Sequence, residues 1–179
     1  MGKDKDKHKS RGKTHSEGTI EIVSTTGFPP GAIDGGFAKI IRGNDTLESF
    51  AIVEGIPVIT IPGTTTAVYT ITGLVKFDRK LKRPPTITTG IESSGGQIFV
   101  NSPPFPPGTG GILNAITAVV DKVDQFGFEL RVHLNITASS LTLARTFAKQ
   151  VLVPTAPGSY GARFNYHAIV ADDECKHEF

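Results

Sequence analysis

Two sets of polar side chains, each spaced two residues apart, have the chemistry to bind a ligand. The first set is Glu129, Arg131 and His133, and the second is Arg163, Asn165 and His167. Successive side chains of a strand point to opposite faces, so each set lies on one face of its strand. If the two strands pair, their faces join into one surface of hydrogen-bond donors and acceptors that suits sugar hydroxyl groups. We therefore predict a set of ligand-binding residues, namely Arg131, His133, Arg163, Asn165 and His167.

Two simpler interpretations of the same polar faces stay open. A face of this kind is often only the solvated side of a half-buried strand. In a symmetric oligomer it is also suited to meet a neighbouring subunit.

Metal and cofactor chemistry is not indicated by the sequence. Cys175 and His177 lie beside acidic residues near the C-terminus, but a structural zinc site usually needs four ligands in a folded frame. We interpret this segment as a plain tail, treat the separate His8 and His15 in the same way, and predict no metal site and no cofactor.

Enzyme motifs are also missing from the sequence. It contains no nucleophile elbow, no His-Glu-x-x-His zinc motif and no phosphate-binding Gly-x-x-x-x-Gly-Lys loop. A pair of carboxylates brought together only by folding stays an open alternative. We predict a protein that is not an enzyme.

The elements that position these side chains are strands. Residues 127–136 alternate apolar and polar side chains without a break, which is a strand pattern and not a helical one. Ten segments are predicted as strands: residues 18–24, 37–41, 48–53, 56–61, 67–78, 86–93, 98–101, 116–123, 128–136 and 163–170. Residues 141–153 fit a helix or a strand. Short strands separated by Gly and Pro turns are typical of an all-β protein, here an antiparallel β-sandwich or jelly-roll-like domain.

The two ends of the chain are charged and differ in sign. Residues 1–17 carry six Lys/Arg against three Asp/Glu, within a net charge of +2 for the 179-residue chain. We expect a disordered N-terminal tail over residues 1–17, a sandwich domain over 18–170 and an acidic tail over 171–179. The alternation of Lys and Asp weakens the field of the basic tail, and no aromatic residue is interleaved, so we do not expect nucleic acid as a partner.

The sequence also bears on location. It has no run of about 18 apolar residues and no apolar region behind its N-terminus. We expect no membrane span and no secretory signal, and a protein made in the cytoplasm. Its final location stays open, and assembly on a particle, spore or cell surface is one alternative.

Residues 69–170 resemble the H-type lectin domain. The likeness rests on Arg-Pro-Pro-Thr-Ile-Thr-Thr-Gly-Ile-Glu-Ser-Ser at 83–94, on the strand, turn and Gly-Phe-Glu-Leu strand of 116–136, and on Tyr-Gly-Ala-Arg-Phe-Asn-Tyr-His-Ala-Ile at 160–169. Tyr166 stands where members of that family commonly have a Trp. The resemblance implies an antiparallel sandwich, a trimer and binding to sugars such as N-acetylgalactosamine.

Two functions follow as hypotheses. The first is a structural subunit that self-associates into a fibre, coat or particle surface, with residues Thr19, Ile20 and Ile22 adding to a neighbour's sheet edge and Cys175 available for an intermolecular bridge. The alternative is a lectin-like carbohydrate-binding or adhesion module. Both make the protein a homo-oligomer, and only the second requires glycan partners.

Overall fold

The fold is described by a computed structural model over residues 13–24, 37–92, 111–153 and 161–171. Within these ranges the chain forms β1 (His15–Ser24), β2 (Phe37–Arg42), β3 (Thr46–Ile61), β4 (Thr64–Lys76), β5 (Thr86–Glu92), β6 (Gly111–Asp121), β7 (Gly127–Ala138), α1 (Leu141–Leu152) and β8 (Arg163–Ile169). The predicted strand at residues 98–101 lies outside the described residues. Across the described ranges, no helix has the length and apolar character that a bilayer crossing requires.

The strands form two antiparallel four-stranded sheets that pack against each other. One, the short sheet, has the order β2-β1-β8-β5, and the other, the long sheet, has the order β3-β4-β7-β6. The predicted all-β sandwich is therefore confirmed.

The core lies between the sheets because the apolar positions of each strand point inward. On β4 and β7 the buried side chains pair across the ladder, with Ile71 opposite Val132 and Val75 opposite Phe128. The ring of Phe128 then meets that of Tyr166 on β8 edge to face, with centroids 5.0 Å apart. Burial of these large side chains supplies most of the driving force for packing the sheets.

The segment 141–153, left open by the sequence, forms a helix over Leu141–Leu152. Ser140 caps α1 by accepting a hydrogen bond from the Leu143 N–H at 3.3 Å. Ala144, Ala148 and Leu152 are buried and recur at the spacing of one helical face, which packs against β4 and β7.

One pair of predicted strands is corrected by the structure. Residues 48–53 and 56–61 are parts of a single 16-residue strand, β3. Its pairing with β4 shifts register between Glu54 and Pro57 and again before Ile59. Proline lacks a ladder donor, and an edge strand accommodates it through such irregularities.

The predicted boundary of the N-terminal tail is also corrected. β1 begins at His15, and Lys13 forms a bridge with Leu81, so residues 13–17 belong to the domain. Residues 1–12 and 172–179 lie outside the described part of the chain.

A buried carboxylate joins the two sheets at one end. Asp45, between β2 and β3, accepts hydrogen bonds from the Tyr166 hydroxyl at 2.8 Å, from Ser16 Oγ at 2.7 Å and from the Asp78 N–H at 2.9 Å. Lys13 pairs with Asp78 and holds the pKa of that carboxyl below its usual value. Burial and the hydrogen bond to Asp45 raise the pKa of the Tyr166 phenol well above its ordinary value.

We expect Tyr166→Phe to lower the free energy of unfolding by about 1–3 kcal/mol, because a buried carboxylate loses a donor while the ring packing stays. Chemical denaturation measures this loss. Ser16→Ala removes a second donor to the same carboxylate, so the double variant should depart from additivity. Thr88→Val removes an exposed hydroxyl and serves as the control, with a change within about 0.5 kcal/mol. Equal losses in Tyr166→Phe and the control would show that the network does not stabilise the fold.

Candidate functional site

The two predicted polar faces belong to different sheets. Arg131 and His133 lie on β7 of the long sheet, whereas Arg163, Asn165 and His167 lie on β8 of the short sheet. β7 pairs with β4 and β6, and β8 pairs with β1 and β5. The structure therefore contradicts the single joined surface that would have followed from pairing of these strands.

On the long sheet, the polar residues of β7 bind one another or neighbouring strands. Glu129 is 7% exposed, accepts a hydrogen bond from Lys122 Nζ at 2.7 Å and pairs with Arg131 Nε. Lys122 first, and Arg131 second, hold the pKa of the Glu129 carboxyl below its usual range, and Glu129 raises the pKa of Arg131. His133 Nδ1 lies 3.1 Å from Thr70 Oγ1 on β4. These contacts indicate a face that stabilises the sheet.

On the short sheet, the predicted residues bridge strands. Asn165 Nδ2 donates to Glu92 on β5 at 2.8 Å, and Thr19 Oγ1 on β1 donates to Asn165 Oδ1 at 2.7 Å. Arg163 Nη2 on β8 lies 3.5 Å from Glu21 Oε2 on β1. Beside these residues is a shallow depression lined by Glu17, Gly18, Thr19, Arg42, Gly43, Asn165, Tyr166 and His167.

Three potential metal ligands converge at the rim of this depression. Glu17 Oε2 lies 3.2 Å from His167 Nδ1 and 3.5 Å from His15 Nε2, and all three side chains are exposed. Among the described residues this is the group that could hold a metal ion. The sequence had led us to discount His15 as a metal ligand, and Glu17 was not singled out. Their spacing of two residues is a signal for a shared strand face, but their proximity to His167 depends on the pairing of β1 with β8.

The predicted assembly segment lies inside the fold. β1 is hydrogen-bonded to β2 on one side and to β8 on the other, so Thr19, Ile20 and Ile22 present no open edge. Ile20 and Ile22 are also buried in the core. The structure contradicts the prediction that this segment adds to a neighbour's sheet. Cys175 lies outside the described residues.

The strand with the least protected edge is β6. Sheet edges are usually shielded by short length, by Lys, by Pro or by bulges. β2 and β5 have six and seven residues, and β3 contains a proline with register shifts. β6 has eleven residues without Pro or Lys, carries one bulge between Leu113 and Ala115, and exposes Ile112 (48%) and Val119 (44%). Within the described ranges its outer edge pairs with no other strand.

We expect Glu129→Gln to weaken the dependence of stability on acidic pH. The pKa of Glu129 is lowered in the folded state, so its carboxylate stabilises the fold above the unfolded pKa of about 4.3 and loses that effect as the pH falls through the folded pKa. Tm measured against pH should therefore fall less steeply below about pH 5 in the variant than in the wild type. Glu48→Gln, which removes an exposed partner of Lys76, is the matched control. Parallel Tm curves for wild type and Glu129→Gln would contradict this assignment.

Comparison with protein-family models, with curated proteins and with solved structures found no match to this chain. The resemblance to H-type lectins therefore stays a prediction. Proposals about function rest on the contacts and exposed surfaces of the chain itself.

Proposed function

We propose that the protein is a non-enzymatic structural subunit that self-associates through the outer edge of β6. The observation that carries this proposal is the length and character of that edge. From Ala115 to Asp121 the strand is regular against β7, and its backbone groups on the other side meet no strand among the described residues. A second copy of β6, antiparallel across a two-fold axis, would complete the ladder.

The side chains of β6 favour such self-pairing. Its sequence, Gly-Ile-Leu-Asn-Ala-Ile-Thr-Ala-Val-Val-Asp, is rich in β-branched residues, and Asp121 at its end is its one charged residue. Two copies can therefore approach without repulsion between like charges near the axis. Val119, exposed on the outer face, would lose solvent contact in the paired sheet, which adds apolar burial to the backbone hydrogen bonds.

Growth beyond a dimer needs a second contact, because a two-fold interface closes on itself. The N-terminal and C-terminal segments carry charges of opposite sign that suit this second contact. Residues 1–12 carry five Lys/Arg against two Asp, and residues 172–179 carry four Asp/Glu against one Lys. Attraction between these segments of different copies would link dimers into a fibre, coat or particle-surface layer, and it would weaken with added salt.

We expect the wild-type protein to scatter light as a dimer or larger species and Val119→Glu to shift it to a 19.1 kDa monomer. The added carboxylate lies opposite Arg131 within the chain, so it is tolerated in the monomer, but two of them repel near the two-fold axis. Val58→Glu is the matched control because Val58 is exposed on β3, the opposite edge of the same sheet.

A chain lacking residues 1–12 separates the two contacts. Negative-stain microscopy should then show dimers without larger assemblies, while β1 stays complete. A monomeric wild type, or a chain disrupted by Val58→Glu and not by Val119→Glu, would overturn association through β6.

The second candidate is a lectin-like carbohydrate-binding module, favoured by the depression on the short sheet. Its lining offers carboxylate, amide, hydroxyl and guanidinium groups, from Glu17, Asn165, Thr19 and Arg42, which match the donors and acceptors of a sugar. This site would use the β8 residues of the predicted set and exclude those of β7.

A glycan array tests this alternative. Arg42 is exposed at the depression, so Arg42→Gln should abolish a glycan signal by removing its charged donors, whereas Arg131→Gln on the other sheet should leave it unchanged. Absence of any glycan signal for the wild type would reject the lectin function, and loss only in Arg131→Gln would move the site to the long sheet.

A further inference from the structure

We propose that His15, Glu17 and His167 bind a divalent first-row transition metal ion, represented here by Zn²⁺. This inference is independent of self-association, because the three residues lie on the short sheet and β6 belongs to the long sheet.

The pairing of β1 with β8 brings the ligands together. His15 and Glu17 are two residues apart on β1 and therefore share a face. His167 is the direct cross-strand partner of Glu17, and directly opposed side chains start with their Cβ atoms about 4.5–5.5 Å apart. His167 lies on a strand that pairs with β1 on one side and with β5 on the other, and the backbone of His15 and Glu17 pairs with β8, so the ladder fixes the register of the ligands.

The distances fit a single metal ion. Zinc binds histidine nitrogen at about 2.0–2.1 Å and carboxylate oxygen at about 2.0–2.2 Å, which places the ligand atoms of a tetrahedral site roughly 3.4 Å apart. Glu17 Oε2 lies 3.2 Å from His167 Nδ1 and 3.5 Å from His15 Nε2, which are close to that spacing. All three ligand atoms lie within 4.8 Å of one another, so small rotations of the exposed rings complete the site.

The ligand set also points to the class of metal. Two imidazoles with one carboxylate suit zinc, copper or nickel, whereas calcium and magnesium prefer sites made of oxygen ligands. Arg42 also lines the depression, and its guanidinium Nη1 lies 3.9 Å from Glu92 Oε1. Arg42 therefore has a carboxylate partner other than Glu17. Three protein ligands leave a fourth position for water or for a group from another molecule.

Calorimetric titration of the full chain with Zn²⁺ tests the proposal. We expect one Zn²⁺ per chain, and at least about tenfold weaker binding in His167→Ala and in Glu17→Gln, since even the loss of an outer partner of a metal ligand costs 10–100-fold. His167 and Glu17 are more than half exposed, so neither change should unfold the protein, and circular dichroism checks this. Co²⁺ should give a tetrahedral absorption spectrum without a thiolate band.

Two controls separate this site from the other histidines and the cysteine. His133→Ala removes a histidine hydrogen-bonded to Thr70 on the long sheet and should leave Zn²⁺ affinity unchanged. The double change Cys175→Ala and His177→Ala removes the ligands near the C-terminus and should also have no effect. Absence of stoichiometric binding in the wild type would overturn the site. So would binding that survives in His167→Ala and is lost in the Cys175/His177 variant.

Discussion

At one end the sandwich depends on the hydrogen bonds to the buried carboxylate of Asp45. The chain crosses between the sheets from β2 to β3 and again from β4 to β5, and Asp45 and Asp78 lie in those two connections. By accepting hydrogen bonds from Ser16 and Tyr166 as well, Asp45 ties both connections to the two central strands of the short sheet. A buried charge is stable only when it is fully hydrogen-bonded, so these donors and the fold require one another.

The same network fixes the exposed surface above it. Side chains alternate along β1 and β8, so Ser16 and Tyr166 point inward while Glu17 and His167 point outward. Gly18 allows the close packing, since a Cβ there would lie 2.3 Å from the Tyr166 hydroxyl. The register that satisfies Asp45 is therefore also the register that sets Glu17 opposite His167. A shift of one residue in the pairing of β1 with β8 would therefore have two effects at once. It would break the buried hydrogen bonds to Asp45, and it would move Glu17 away from His167.

Local sequence patterns are sufficient to predict the strands. They do not predict which strands pair, because paired residues are far apart along the chain. In β4, β7 and β8 apolar and polar side chains alternate because one face of each strand is buried. This alternation is visible within each segment alone. The helix stayed ambiguous because a short apolar run fits either period until its partners are known. One of the two partners of β8 is β1, and their paired residues Thr19 and Asn165 are 146 residues apart, so no local signal encodes such a contact. For that reason the alternation predicts polar strand faces on β7 and β8, whereas the condition for joining them, pairing of the two strands, is not met.

The residues that carry the resemblance to H-type lectins have packing roles in this structure. A Cβ on Gly161 would lie 1.6 Å from the Ile22 carbonyl oxygen, and one on Gly127 would lie 2.1 Å from that of Val75. Phe128 and Tyr166 are fully buried against each other. Motifs of this kind report how a sandwich closes, and fold alone does not imply function. The two proposed activities use other features of the chain, namely the open edge of β6 and the outer face of β1 and β8. Because these surfaces lie on different sheets, the proposed association and the proposed metal binding are separable by single substitutions.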